Sequence, residues 1–153
     1  MKKTLTAVLM VLVIAFMAIG CGNAQADVES FHAMVSETQE LLDIVADDIY
    51  ANWHGAIYKD EYGGSIDLAI YMAQTENSEN LTMIELKNGE IKELYKKIKD
   101  SDWGFEIKEV MHAYNEYYSF VVEVSGSFQT FKEDKEPLKK ALATALKNLA
   151  MEI

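Results

Sequence analysis

From Asp27 the apolar residues Val28, Phe31, Val35, Leu42, Val45, Ile49, Trp53 and Ala56 recur at steps of mostly three and four, with Thr38 filling one gap. A repeat near 3.6 residues lines them along one face of a helix. No Pro or Gly interrupts the run before Gly55. The spacing therefore predicts a helix over 27–58, a rod of about 45 Å at 1.5 Å per residue. Asp27 and Glu29 suit its amino end by their charge. A rod of that length must pack shorter partners along it.

Lys59 to Gly64 has the charge and paired glycines of a loop, and Ser65 is a candidate N-cap. Ile66, Ala69, Ile70 and Ala73 give a short helical face, and polar Thr75 to Asn80 marks a bend. Leu81, Ile84, Ile91, Leu94, Tyr95 and Ile98 restore helical spacing, with Asn88-Gly89 as its weak point. Lys96, Lys97 and Lys99 complement the carboxyl end of that helix.

After a turn at Ser101 to Gly104, the strongest amphipathic segment begins. Ile107, Val110, Met111, Tyr114, Tyr117, Tyr118 and Val121 form a stripe, while Glu106, Lys108, Glu109, Glu116 and Glu123 lie off it. This segment is expected to be the core partner of the first helix. Ser125-Gly126-Ser127 ends it. Phe128 and Phe131 are then expected to pack back as plugs, with Asp134 opening a last helix that holds Pro137 in its first turn. Leu138, Ala141, Leu142, Ala145 and Leu149 mark the inner face of that helix. The pattern predicts an all-α fold, a long-helix hairpin or bundle of four or five helices, in a single domain over 27–153.

The segment before this domain has a different character. Lys2 and Lys3 precede an uncharged apolar run from Leu5 to Ile19. That run is shorter than the ~20 residues needed to cross a bilayer, and small residues follow it, as in an export signal. Two cleavage points compete. Ala18-Ile19-Gly20-Cys21 resembles the bacterial lipoprotein signal, which gives a signal peptide over 1–20, a lipidated Cys21 as the new amino terminus, and a tether over 21–26. Ala24-Gln25-Ala26 is an A-x-A site that would instead release a soluble protein starting at Asp27. Cys21 is the only cysteine in the chain, which favours lipidation. The expected location is the outer face of the cell membrane; the alternative is secreted or periplasmic.

Charge and chemistry narrow the function classes. The chain has a formal charge of −11, and its basic residues are all Lys. That acidity argues against nucleic acid and against attraction to anionic membrane surfaces, and the absence of Arg removes the bidentate fork for phosphate. Two E-x-x-H pairs, Glu29 with His32 and Glu109 with His112, stand on two long predicted helices, and Glu116 extends the second. Di-iron carboxylate bundles use such pairs. The periodicity, however, turns Glu109, His112 and Glu116 away from the apolar stripe, and Glu29 away from its own. A metal-binding oxidoreductase bundle is therefore the alternative reading, and no cofactor is expected.

Other candidates have simpler roles. His54 beside Trp53 fits an aromatic anchor at a helix end, and Tyr114, Tyr117 and Tyr118 fit core packing. Asp43, Asp47 and Asp48 lack Ca²⁺-loop spacing and are expected on a solvated helix face. There is no Gly-rich phosphate loop, nucleophile elbow or further Cys. The expectation is a non-enzymatic binding protein of the cell envelope, whose partner is another envelope protein or a cationic ligand.

Trp53-His54-Gly55-Ala56-Ile57, Asp67-Leu68-Ala69-Ile70, and Tyr117-Tyr118 followed by Ser125-Gly126-Ser127-Phe128-Gln129-Thr130-Phe131 form a W-x-x-A-I … A-I … Y … G-S-x-x-S/T-F pattern. It resembles one in uncharacterised exported helical proteins of Gram-positive bacteria and their prophages. Here Asp102-Trp103-Gly104 stands where those proteins usually have a Pro-containing turn. The resemblance implies a long-helix bundle and a class that includes phage-exclusion and immunity proteins; it carries no catalytic residue.

Overall fold

The computed structural model describes residues 24–153. The expected signal segment over 1–20 and Cys21, the expected lipidation site, lie outside the described residues. Helix α1 spans Ala24–Tyr58, a short 3-10 turn covers Glu61–Gly64, and α2 (Ile66–Glu76), α3 (Ser78–Ile98), α4 (Gly104–Val122) and α5 (Phe128–Glu152) follow. Among the described residues the structure is all helix and connection, an all-α bundle of five α-helices. None of these helices is long and apolar enough to cross a membrane.

The apolar stripe of α1 is buried along its whole length, from Val28 to Ala56. Thr38, in its gap, is also buried and donates its hydroxyl to the Met34 carbonyl at 2.7 Å, so the polar atom stays within the helix. Helix α1 touches every other element. Its most extensive neighbour is α3, whereas α4 packs chiefly on α5, which corrects the expected pairing of α4 with the first helix. Periodicity fixes which face of a helix is buried but not which neighbour covers it. The short 123–127 connection makes α4 and α5 antiparallel neighbours.

The bend between α2 and α3 is a single residue. Asn77, buried, donates to the Ala73 carbonyl at 3.0 Å and to Asp48 of α1 at 2.8 Å. Ser65 caps α2 as expected, accepting from the Leu68 amide at 3.3 Å. Helix α3 runs through Asn88-Gly89 without a break. Gly89 costs helix propensity, but burial of Ile84, Ile91 and Ile98 on either side of it outweighs that cost.

The start of the last helix differs from expectation. Ser127, extended at φ −108° and ψ 160°, accepts from the Thr130 amide at 3.2 Å and caps a helix that begins at Phe128, not Asp134. Phe128 and Phe131 are thus helical residues. Their rings lie 5.9 and 5.7 Å from that of Trp53, and Phe131 stacks on Phe120 at 4.5 Å. Pro137 consequently sits inside the helix, where it deprives the Glu133 carbonyl of its usual i+4 donor. The cap and two buried aromatic rings outweigh that loss, which falls at an exposed position. Leu146 joins Leu142 and Leu149 in the core, while Ala141, expected inside, is exposed.

Two substitutions separate an interior proline from a first-turn proline. Pro137→Ala is expected to raise stability by about 1–3 kcal/mol, by restoring the missing hydrogen bond. Ser127→Ala is expected to lower it by about 1 kcal/mol. Urea unfolding of each variant measures both. A neutral or destabilising Pro137→Ala, together with a silent Ser127→Ala, would place the start of the helix at Asp134.

Candidate functional site

Charge is unevenly distributed along the chain. Residues 24–85 carry thirteen carboxylates and a single Lys, whereas residues 86–153 carry twelve carboxylates and eleven Lys. Folding brings part of the second group to the first. Lys87 of α3 meets Glu37 at 2.7 Å, Lys139 of α5 meets Asp43 at 2.9 Å, and Lys135 meets Asp47 at 2.5 Å while lying 5.2 Å from the Tyr50 ring. Asp43 also accepts from the Tyr117 hydroxyl of α4 at 2.6 Å, and Tyr114 donates to Asn88 of α3 at 3.3 Å.

Asp43 and Asp48, both half-buried, are therefore connectors to α4, α5 and the α2–α3 bend, which corrects the expected solvated face for these two, whereas Asp47 pairs with Lys135 from an exposed position, as expected. Sequence spacing placed them off the apolar stripe but could not show the lysines facing them. Burial, and then the bond to Asp43, push the Tyr117 hydroxyl well above the usual phenol range; burial does the same for Tyr114. The bond to Asp43 raises Lys139.

A concavity lies on the opposite side of α4, between it and α5, and has a volume of about 800 Å³. Glu106, Glu109, His112 and Glu116 form the α4 wall; Lys140, Thr144 and Asn148 form the α5 wall. Ala113, Ala141 and Ala145 leave the space between them open. Phe105 and Met151, 72% and 66% exposed, stand at one end and Pro137 at the other. From Phe105 to Glu116 the groove follows about 16 Å of helix. Four carboxylates, those of Glu106, Glu109, Glu116 and Glu152, face it against the one cation of Lys140. The arrangement offers an acidic edge over a small-residue floor, suited to a cationic surface with an apolar side. It contains no nucleophile paired with a base.

The two E-x-x-H pairs do not converge. Glu29 is exposed and accepts from Gln25 at 3.1 Å, and His32 bonds the Leu146 carbonyl at 3.2 Å. Glu109, His112 and Glu116 are exposed on the groove wall, His112 lying 3.6 Å from Glu116. Among the described residues no group of three or more His, Cys, Asp or Glu is disposed to hold a metal ion. Trp53 is buried against Phe128 and Phe131, and its Nε1 finds no hydrogen-bond partner; His54 packs beside Tyr50 and Tyr58.

The groove itself was not legible in advance. Ala141 and Ala145, at helical spacing, were its one signal, and they were assigned to the core. Compared with known proteins, the chain matches no family model, no curated protein and no solved structure. The resemblance to exported helical proteins rests on the motifs that suggested it.

The raised Tyr114 and Tyr117 hydroxyls give a pH dependence of definite sign. Both keep their protons in the fold above about pH 10, where an unfolded tyrosine loses its own. Their contribution is complete below that pH and is lost as pH rises through the folded values. The Lys139 shift acts in the same direction. In an ultraviolet titration, two of the eight tyrosines should ionise only on unfolding, and one in Tyr117→Phe. Ionisation of all eight in the folded protein would contradict the buried placement. Asp43→Ala should cost about 2 kcal/mol, because it strands the Lys139 and Tyr117 donors.

Proposed function

We propose that this protein is a lipid-anchored binding module of the bacterial cell envelope, held at the outer face of the membrane through Cys21 and acting by contact, not catalysis. The anchor reading is carried by a lone Cys directly after an export-type apolar run, ahead of a domain whose first helix is described from Ala24. The competing cleavage after Ala26 would remove residues of α1, among them Gln25, which donates to Glu29 and, at 3.2 Å, to the Ile153 carbonyl. That favours processing upstream, at Cys21. A diacylglyceryl pair gives stable attachment where one acyl chain would be marginal.

The binding reading is carried by the α4–α5 groove, whose acidic wall and small-residue floor suit a partner protein or a cationic ligand. A protein cleaved after Ala26 and secreted would keep the groove and lose the anchor. The metal-binding alternative gains nothing from E-x-x-H pairs that stay apart.

The anchor is tested by the mass of the mature amino-terminal peptide from membrane and soluble fractions, for the wild type and Cys21→Ser. An acylated peptide beginning at Cys21 in the membrane fraction, with the variant released or unprocessed, is the expected result. An unmodified soluble peptide beginning at Asp27 would refute the anchor.

A further inference from the structure

The two most exposed large apolar side chains among the described residues, Phe105 at 72% and Met151 at 66%, stand at one end of the bundle. Asn77 meets Asp48 and Lys87 meets Glu37, so α2 and α3 run back along α1 and bring the Ile98 end of α3 to the Ala24 end of α1. There Gln25 donates to the Ile153 carbonyl at 3.2 Å, and the Trp103 indole donates to the Glu152 carbonyl at 2.8 Å. A tight turn holds Trp103 and Phe105 in place. The Ser101 amide donates to the Ile98 carbonyl and the Gly104 amide to that of Ser101, both at 2.9 Å, and a Cβ on Gly104 would come within 2.6 Å of the Lys99 carbonyl oxygen. Phe105 therefore projects from a closely packed backbone, not a frayed one.

We propose that this end is a membrane seat: Phe105 and Met151 enter the interfacial layer of the bilayer that holds the Cys21 lipid, with Trp103 beside them at headgroup level. The placement rests on the lipoprotein reading. From Cys21 to Ala24 the chain reaches at most about 10 Å, so an anchored Cys21 keeps this end at the lipid surface. The opposite end, at Tyr58, stands about 50 Å farther along α1. Exposed apolar side chains gain by entering the interface, and Trp, an apolar ring with one polar edge, is enriched there.

Charge decides the kind of surface. Residues 92–108, which make up much of this end, hold five Lys and four carboxylates, against the thirteen carboxylates and single Lys of residues 24–85. Lys96 is bonded to Glu93 and Lys99 to Asp100, both at 2.6 Å, and Asp27, Glu29 and Glu152 flank the seat. No surplus of cations is left to draw in anionic lipid. The contact is therefore apolar, and the surface it fits is zwitterionic.

The test places the mature lipidated protein in phosphatidylcholine vesicles whose acyl chains carry bromine, a contact quencher of indole fluorescence. The chain has two Trp, and Trp53→Phe leaves Trp103 as the reporter. The Trp53 Nε1 has no hydrogen-bond partner, so this substitution breaks no bond. Trp103 emission should fall several-fold relative to vesicles without bromine, while the wild type keeps the share that comes from Trp53. Phe105→Ser/Met151→Ser, both at exposed positions, should restore Trp103 emission with the protein still bound to vesicles. Tyr71→Trp, exposed on α2 toward the far end, should add emission that bromine leaves unchanged. High salt should alter none of these readings.

Unquenched Trp103 in acylated, vesicle-bound protein would overturn the seat and leave the anchor standing. Quenching that survives the double serine variant would also overturn it, as would equal quenching of the indole added on α2, which would lay the domain flat on the membrane. An unmodified amino-terminal peptide, read by mass, would refute the anchor and the seat with it.

Discussion

Everything in this structure depends on burying one continuous face of α1. The face runs from Val28 to Ala56, and every other element packs on some part of it. Each large aliphatic or aromatic side chain removed from water there contributes about 1.5–3 kcal/mol, so this face dominates the stability of the fold. The ion pairs that α1 makes with Lys87, Lys139 and Lys135 are secondary, because pairs that are partly exposed give about 1 kcal/mol or less. Their effect is on register. Carboxylates gathered in the first half of the chain meet lysines supplied by the second, so sliding α3 or α5 along α1 would leave both charges unpaired.

The placement of the groove follows from the same constraint. Helix α4 reaches α1 mainly through its tyrosine-rich side, with Tyr117 held by Asp43, and its opposite side carries Glu109, His112 and Glu116 outward. Helix α5 spends its long side chains, Leu142, Leu146, Leu149 and the two phenylalanines, on the core. What remains toward α4's outer wall is Ala141 and Ala145, too small to close the space. An acidic groove is therefore what two helices leave behind when their large residues are used elsewhere.

Helix identity and the buried face were legible because periodicity follows directly from burial. The stripes of α1 and α4, the Ser65 cap and the bend before α3 all stand where the residues placed them. Neighbours were not legible, since a stripe states only that it is covered. This is why α4 was paired with α1 when α5 covers more of it, and why Asp43 and Asp48 passed for a solvated face. Pro137 misled for a local reason. Proline favours a first turn, but a serine cap followed by two aromatic residues that fit against Trp53 outweighed that preference. Glu109, His112 and Glu116 were rightly placed off the core, yet that they line a groove depends on Ala141 and Ala145 of another helix.

Native-state hydrogen exchange resolved by residue tests the central position of α1 most directly. Amides of the α1 segment from Phe31 to Trp53 should exchange only through global unfolding, while the α4–α5 pair opens at lower free energy around Pro137. Exchange of α1 ahead of the α4–α5 pair would contradict the account, because the rest of the bundle would then hold together without the face on which it is argued to depend.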